Sequence, residues 1–360
     1  MHMNAAGQNR PKSVLWKIAL IPFGVVIGLS IGWIVLRLWS PVATVPRYIS
    51  PSDYPALREM LDGADSPRGL YLFDEDIGYR FKPNFTGTRH KSDIFLHKTN
   101  SLGLLGGEEV DTDSSAKNVL FLGDSVAYGD GLAYESIFVS QMQDLAGPDY
   151  RLANGACPGW SAKQQIGFYE KYLTHLDWDA IVFAVCLNDF VDFRWSWTEE
   201  GGYQWMMADS NSTIEVSCMA QLRSQFSGAT AALARHDDAT LPAWSPDIIE
   251  SYCQDVLLPF TRRAEHSPVI LLLLPTAHQF EALAKGADEE IVGAPQQQLV
   301  TFCREHDIPC IDALRLLRES DQVDSAKLYM HDDALHFRNG GHQALAEVAW
   351  PQLAGRIGRK

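Results

Sequence analysis

Four short stretches carry residue types able to do covalent chemistry. In NVLFLGDSVAYGDGL, residues 118–132, an apolar run ends in Gly123-Asp124-Ser125. A serine at a strand-to-helix turn exposes its hydroxyl to a base and its own N–H to developing negative charge, the two things a serine nucleophile requires. NGACPG, 154–159, ends on Gly159, whose N–H no side chain shields, and CLND, 186–189, holds Asn188, whose amide can donate. With the Ser125 N–H these two complete a three-donor oxyanion hole. Near the C-terminus HDDALHF, 331–337, places Asp333 one turn before His336. At that spacing a carboxylate can bond one imidazole nitrogen and aim the other at a hydroxyl. Each stretch alone has a plainer reading: a glycine-bearing turn with Asp124 or Ser125 capping a helix, loop residues chosen for turn geometry, a solvated charged loop, or an Asp/His set that ligates a metal.

The elements that would position these groups begin after Lys117. Short apolar runs at Asn118–Leu122, Tyr150–Ala153, Ala180–Leu187, Val269–Leu274 and Ile308–Ile311 each end in Gly, Asn, Asp or Pro and alternate with helical stretches. Continuous rather than alternating hydrophobicity belongs to strands buried on both faces. The pattern therefore predicts a doubly wound α/β domain over 116–360, its parallel sheet covered by helices and its ligands beyond the carboxyl ends of the strands. The last helix is expected over about 341–350, with Leu345 and Val348 inward and Pro351 ending or kinking it. Residues 190–267 read as an insertion that the sheet does not need. It holds Trp195, Trp197, Tyr203 and Trp205, either satellite core or the lining of a carbohydrate or acyl site, and then a helix opening at Ser245-Pro246. Upstream, 67–115 alternates apolar and polar residues between turn signals, a small β-hairpin module.

Taken jointly, GDSV at 123–126, NGACPG at 154–159, LND at 187–189 and DALH at 333–336 resemble the blocks of the SGNH, or GDSL-type, serine hydrolases, from about Asn118 to the end of the chain. The resemblance implies a five-stranded, flavodoxin-like parallel sheet, with Ser125 as nucleophile, His336 as base and Asp333 orienting the imidazole. It implies Ser125, Gly159 and Asn188 as oxyanion donors, and neither cofactor nor metal. One departure is Cys186, which stands where that block has a glycine two residues before the Asn. TNSLGLLGGEEV, 99–110, looks like the lead-in of membrane-anchored bacterial members, with Leu105 where those often carry Arg. Such relatives are linked to removal or transfer of O-acetyl groups on polysaccharides. The expected substrate is thus an acylated carbohydrate or small ester. An O-acetyltransferase and a non-catalytic glycan-binding assembly factor are the alternatives.

Ile18–Leu36 is uncharged, and its 19 residues at ~1.5 Å each give roughly 28 Å, close to a bilayer's hydrocarbon core. The expected organisation is a cytoplasmic tail at 1–17, a transmembrane helix at 18–39 and a linker at 40–66. Arg10, Lys12 and Lys17 precede the run while Arg37 and Arg47 follow it, which favours an inner-membrane protein with its N-terminus inside and its catalytic domain periplasmic. Gly24, Gly28 and Gly32 share a helical stripe that could pack a partner helix. The net charge of −15 over 360 residues argues against nucleic acid as a partner. Six cysteines are too few for a disulfide scaffold. Cys218–Cys253 is the expected bond, Cys157 and Cys186 are expected to be small buried residues, and His342 a capping or packing residue of the last helix.

Overall fold

The structure is a computed structural model and describes residues 26–31, 47–48, 70–74, 76–90, 94–110, 115–190, 193–197, 203–207, 246–264, 267–320, 324–331 and 333–357. Two antiparallel hairpins come first. Strand β1 (Tyr71–Asp74) pairs with β2 (Gly78–Phe81), and β3 (Thr86–His90) with β4 (Ile94–Lys98). The expected β-rich module is therefore present. It is built into the same compact unit as the rest of the domain, because Leu70, Ile77, Tyr79 and Phe81 are buried in the common core. Leu105 is buried too, its N–H donating to Asn154 O at 2.8 Å.

The domain is organised on a parallel sheet of β5 (Lys117–Leu122), β6 (Tyr150–Asn154), β7 (Ala180–Val185), β8 (Val269–Leu273) and β9 (Cys310–Asp312), in the order β9-β8-β7-β5-β6. All six residues of β7 and all five of β8 are buried, as strands covered on both faces must be. Strand identities match the apolar runs, with ends shifted by up to two residues. Helices cover the faces. On one, α2 (Phe138–Ala146) sets Phe138 against Phe121 of β5, ring centroids 6.1 Å apart. On the other lies α3 (Ala162–Tyr172), which begins in a capping box between Ser161 and Gln164.

Two expectations are corrected. The segment 190–267 is not wholly dispensable to the sheet. Its last part forms α4 (Pro246–Tyr252), one π turn at Cys253–Leu257, and α5 (Leu258–Arg263). Ile249, Tyr252, Cys253, Leu257, Leu258 and Phe260 are buried at helical spacing, and Phe260 packs between Tyr169 of α3 and Phe183 of β7 at 5.7 and 5.4 Å. This helix is the crossover that carries β7 to the parallel β8. The last helix, α6 (Asn339–Ala354), runs through Pro351 instead of ending there. The carbonyl that loses its partner N–H is that of Glu347, and Glu347 and Pro351 both lie on the exposed side of the helix. Strands at Phe193–Trp197 and Tyr203–Met207 carry the aromatic cluster, whose side chains lie outside the described residues.

Residues 1–47 belong with 196–204 to a second unit. Residues 26–31 of it are helical and expose Val26, Ile27, Leu29 and Ile31. Among the described residues no helix is long and apolar enough to cross a membrane. The rest of the expected span, Gly24 and Gly32 included, lies outside them, and a Cβ built on Gly28 would meet nothing within 4 Å.

If the α4–α5 helix is core, Phe260→Ala should lower unfolding free energy by about 3–5 kcal/mol. Denaturant titration of the purified protein measures this; a loss below about 1 kcal/mol, the range of surface substitutions, would return the helix to the periphery.

Candidate active site

Strand β5 delivers the chain to Gly123, where a Cβ would lie 2.4 Å from that of Ala127. Only glycine allows the turn to be this tight. Asp124 then caps α1 (Ser125–Tyr128), its Oδ1 accepting the Val126 N–H at 2.8 Å. The helix stops after one turn at Gly129, φ 75°, whose N–H and that of Asp130 both return to Ser125 O. Ser125 is thus held by its backbone while its side chain, half-buried, points to the sheet's carboxyl edge.

The C-terminal loop arrives from the other side. His336 Nε2 lies 2.8 Å from Ser125 Oγ, and His336 Nδ1 lies 2.6 Å from Asp333 Oδ2. Asp333 Oδ1 accepts the N–H groups of Leu335 and His336, both at 3.0 Å. With Nδ1–H donated to the carboxylate, Nε2 is the acceptor for the serine O–H. The loop itself is pinned: Ala277 N–H donates to Ala334 O at 2.8 Å, and Tyr329 Oη to Pro275 O at 2.7 Å. Burial would raise the Asp333 pKa, but hydrogen bonds from the His336 ring and from two backbone N–H groups, with the imidazolium charge, outweigh it and hold the carboxyl at about 2.

The two remaining loops attach to the residues just before Ser125. Asn188 Nδ2 donates to Asp124 Oδ2 at 2.7 Å, leaving its second amide hydrogen for another acceptor. Cys157 N–H donates to Gly123 O at 3.2 Å, and two residues on Gly159 takes φ 85°. So the structure brings Asp333, His336 and Ser125 into one line of contacts, and ties the Asn188 side chain and the loop leading to Gly159 to the two residues before Ser125. It adds groups that the sequence reading did not assign. Asp189, buried behind Asn188, accepts Cys186 N–H at 2.7 Å and Gln165 Nε2 at 3.3 Å, and returns its own N–H to Cys186 O at 2.9 Å. That closed pair fixes the turn at Cys186, whose side chain is buried. Burial and the nearby Asp124 push the Asp189 carboxyl well above its usual range. Burial also raises Asp124, against hydrogen bonds from Asn188 and Val126 and the His336 charge that favour its ionised form. Of the two buried acids, Asp189 is the one pushed up further.

No protein-family model matches this chain, and no curated protein matches it. Among solved structures the chain is similar to a lipolytic protein of the G-D-S-L family from Veillonella parvula, at 18% identity over 68% of this chain and 100% of that one, TM-score 0.40. It is similar to a lipase/acylhydrolase from Enterococcus faecalis, at 15% identity over 68% and 98%, TM-score 0.40. A carbohydrate acetylesterase family member from Sinorhizobium meliloti aligns at 16% identity over 67% and 99%, TM-score 0.40.

Cys157 and Cys186 are fully buried and not in disulfides, as expected of small buried residues. Cys253 is a buried thiol; its expected partner, Cys218, lies outside the described residues. Among the described residues no three His, Cys, Asp or Glu side chains group so as to hold a metal ion. His342, on α6, stacks on Phe138, and its Nδ1 accepts the Phe138 N–H at 3.2 Å, capping α2 from a neighbouring helix.

Burial, and next the His336 charge, lower the His342 pKa to about 3. The unfolded imidazole binds its proton near pH ~6.5, so unfolding takes up a proton between these values and stability falls as pH drops through that window. Between pH 7 and 4 the parent should lose on the order of 3 kcal/mol more stability than His342→Asn. Unfolding midpoints at the two pH values measure it, and parallel losses in both proteins would refute a neutral buried His342.

Proposed function

We propose that this protein is a serine esterase that acts by a two-step acyl transfer. The observation that carries this reading is the unbroken line from Asp333 through His336 to Ser125 Oγ, with contacts of 2.6 and 2.8 Å. His336 Nε2 takes the proton as Ser125 Oγ attacks the ester carbonyl carbon. Negative charge on the former carbonyl oxygen is received by the N–H groups of Ser125 and Gly159 and the Asn188 amide. The C–O bond then breaks, and His336 passes its proton to the leaving alcohol. Water, or an acceptor hydroxyl, enters with the same base and releases the acyl group. Asp333 keeps the imidazole in the useful tautomer and steadies its charge. An intact, aligned relay favours catalysis over a purely glycan-binding role.

A narrower reading is that the ester is an O-acetyl group on a polysaccharide and that the enzyme is anchored in the inner membrane. It is supported by the TNSLGLLGG lead-in and by the uncharged run at 18–36. Whether an acceptor sugar replaces water is decided by product analysis with and without a glycan.

Ser125→Ala should reduce p-nitrophenyl acetate hydrolysis to residual levels, and Asn188→Ala should cost about 10²–10³ in kcat. Turnover near that of the parent in the serine variant would falsify the nucleophile assignment. Because its hydrogen bonds and the His336 charge hold the Asp333 carboxyl at about 2, that carboxylate should stay ionised throughout the acid limb of the pH–rate profile. An NMR titration that places Asp333 protonation above pH 4 would contradict this.

A further inference from the structure

The Gly159 N–H does not stand alone. It shares a peptide unit with the carbonyl of Pro158, and Tyr79 Oη donates to that oxygen at 2.7 Å in a buried contact. Tyr79 belongs to β2, in the lead-in hairpin. Two more bonds hold the hairpin here, one to the same loop and one to the first turn of α3: Trp160 Nε1 donates to Tyr79 O at 3.0 Å, and Gln164 Nε2 to Ile77 O at 2.7 Å. On the far side of the carbonyl Cys157 Sγ is a weak second donor at 3.9 Å. Gly159 has no side chain to fix its peptide and sits at positive φ, so donors on the Pro158 oxygen help to set the plane of that peptide. A donor on the carbonyl also draws charge through the amide and strengthens the N–H at the opposite end.

Resting on the esterase reading above, we propose that Tyr79 is a positioning residue of the oxyanion hole: its hydroxyl orients and polarises the Pro158–Gly159 peptide whose N–H receives the ester oxyanion. The hairpin upstream of the hydrolase motifs is then a working part of the catalytic centre. Tyr79 acts through Gly159 and touches no reacting atom, so its effect belongs to the transition state and not to substrate binding.

The test uses the full chain with two variants. Tyr79→Phe removes only the hydroxyl. Lys171→Ala loosens the same hairpin elsewhere, removing ion pairs to Asp74 and Asp76 at 3.0 and 2.6 Å. The measurements are kcat and KM for p-nitrophenyl acetate, the rate at which a fluorophosphonate captures Ser125, and the thermal midpoint. Tyr79→Phe should lose roughly three- to tenfold in both kcat and capture rate, with KM unchanged. Lys171→Ala should keep the parent's values. Equal capture by parent and Tyr79→Phe, or equal losses in the two variants, would overturn the proposal while leaving the esterase reading intact. A parent that neither hydrolyses the ester nor is captured would sink both.

Discussion

Strands β5 and β7 lie in the middle of the sheet with both faces covered by apolar side chains, and that burial constrains everything around them. Here every connection within the sheet is a crossover through a covering helix, and crossovers of that kind make neighbours parallel. Parallel strands end on one side. The turns after β5, β6 and β7 therefore emerge together, about 4.8 Å apart per strand, and they carry Ser125, Gly159 and Asn188. Adjacent turns then bond one another directly. Gly155 N–H reaches Phe121 O at 2.8 Å, and Cys157 N–H reaches Gly123 O at 3.2 Å. The precision of the site is that of the sheet carried a few residues past its edge.

Burial is used at this edge in three different ways. Asp333 is only partly covered and receives enough donors to stay ionised, which suits a group that steadies a cation. Asp189 is enclosed beside another carboxylate, burial and neighbour together pushing its pKa up, and its oxygens brace the turn that holds Asn188. His342 is enclosed and neutral, a hydrogen-bond acceptor for the first turn of α2. The direction of each shift follows from how burial, donors and neighbouring charges combine at that position.

The lead-in hairpins show how far the site extends beyond its motifs. Their apolar residues enter the common core, Leu105 bridges to the end of β6, and Tyr79 reaches the peptide of Gly159. A module that looks accessory by position is packed against the turns that matter.

Apolar runs and turn residues were enough, before any coordinates, to name five strands and their parallel arrangement, and the short motifs to single out Ser125, Asp333 and His336, which the fold brings into contact. Periodicity reports whether a segment is buried, and a strand buried on both faces leaves few topologies open. What covers a segment is a different question, decided by residues far away in the chain. Phe260 became core because Tyr169 and Phe183 frame it, and Pro351 sits within the last helix on its exposed side. Cys253 remained a thiol, Asp189 found Gln165, and Tyr79 found Pro158 across 79 positions. Those pairings arise only when the chain is folded, because hydrogen bonds and ring contacts act over a few ångströms and leave no periodic trace in the order of residues.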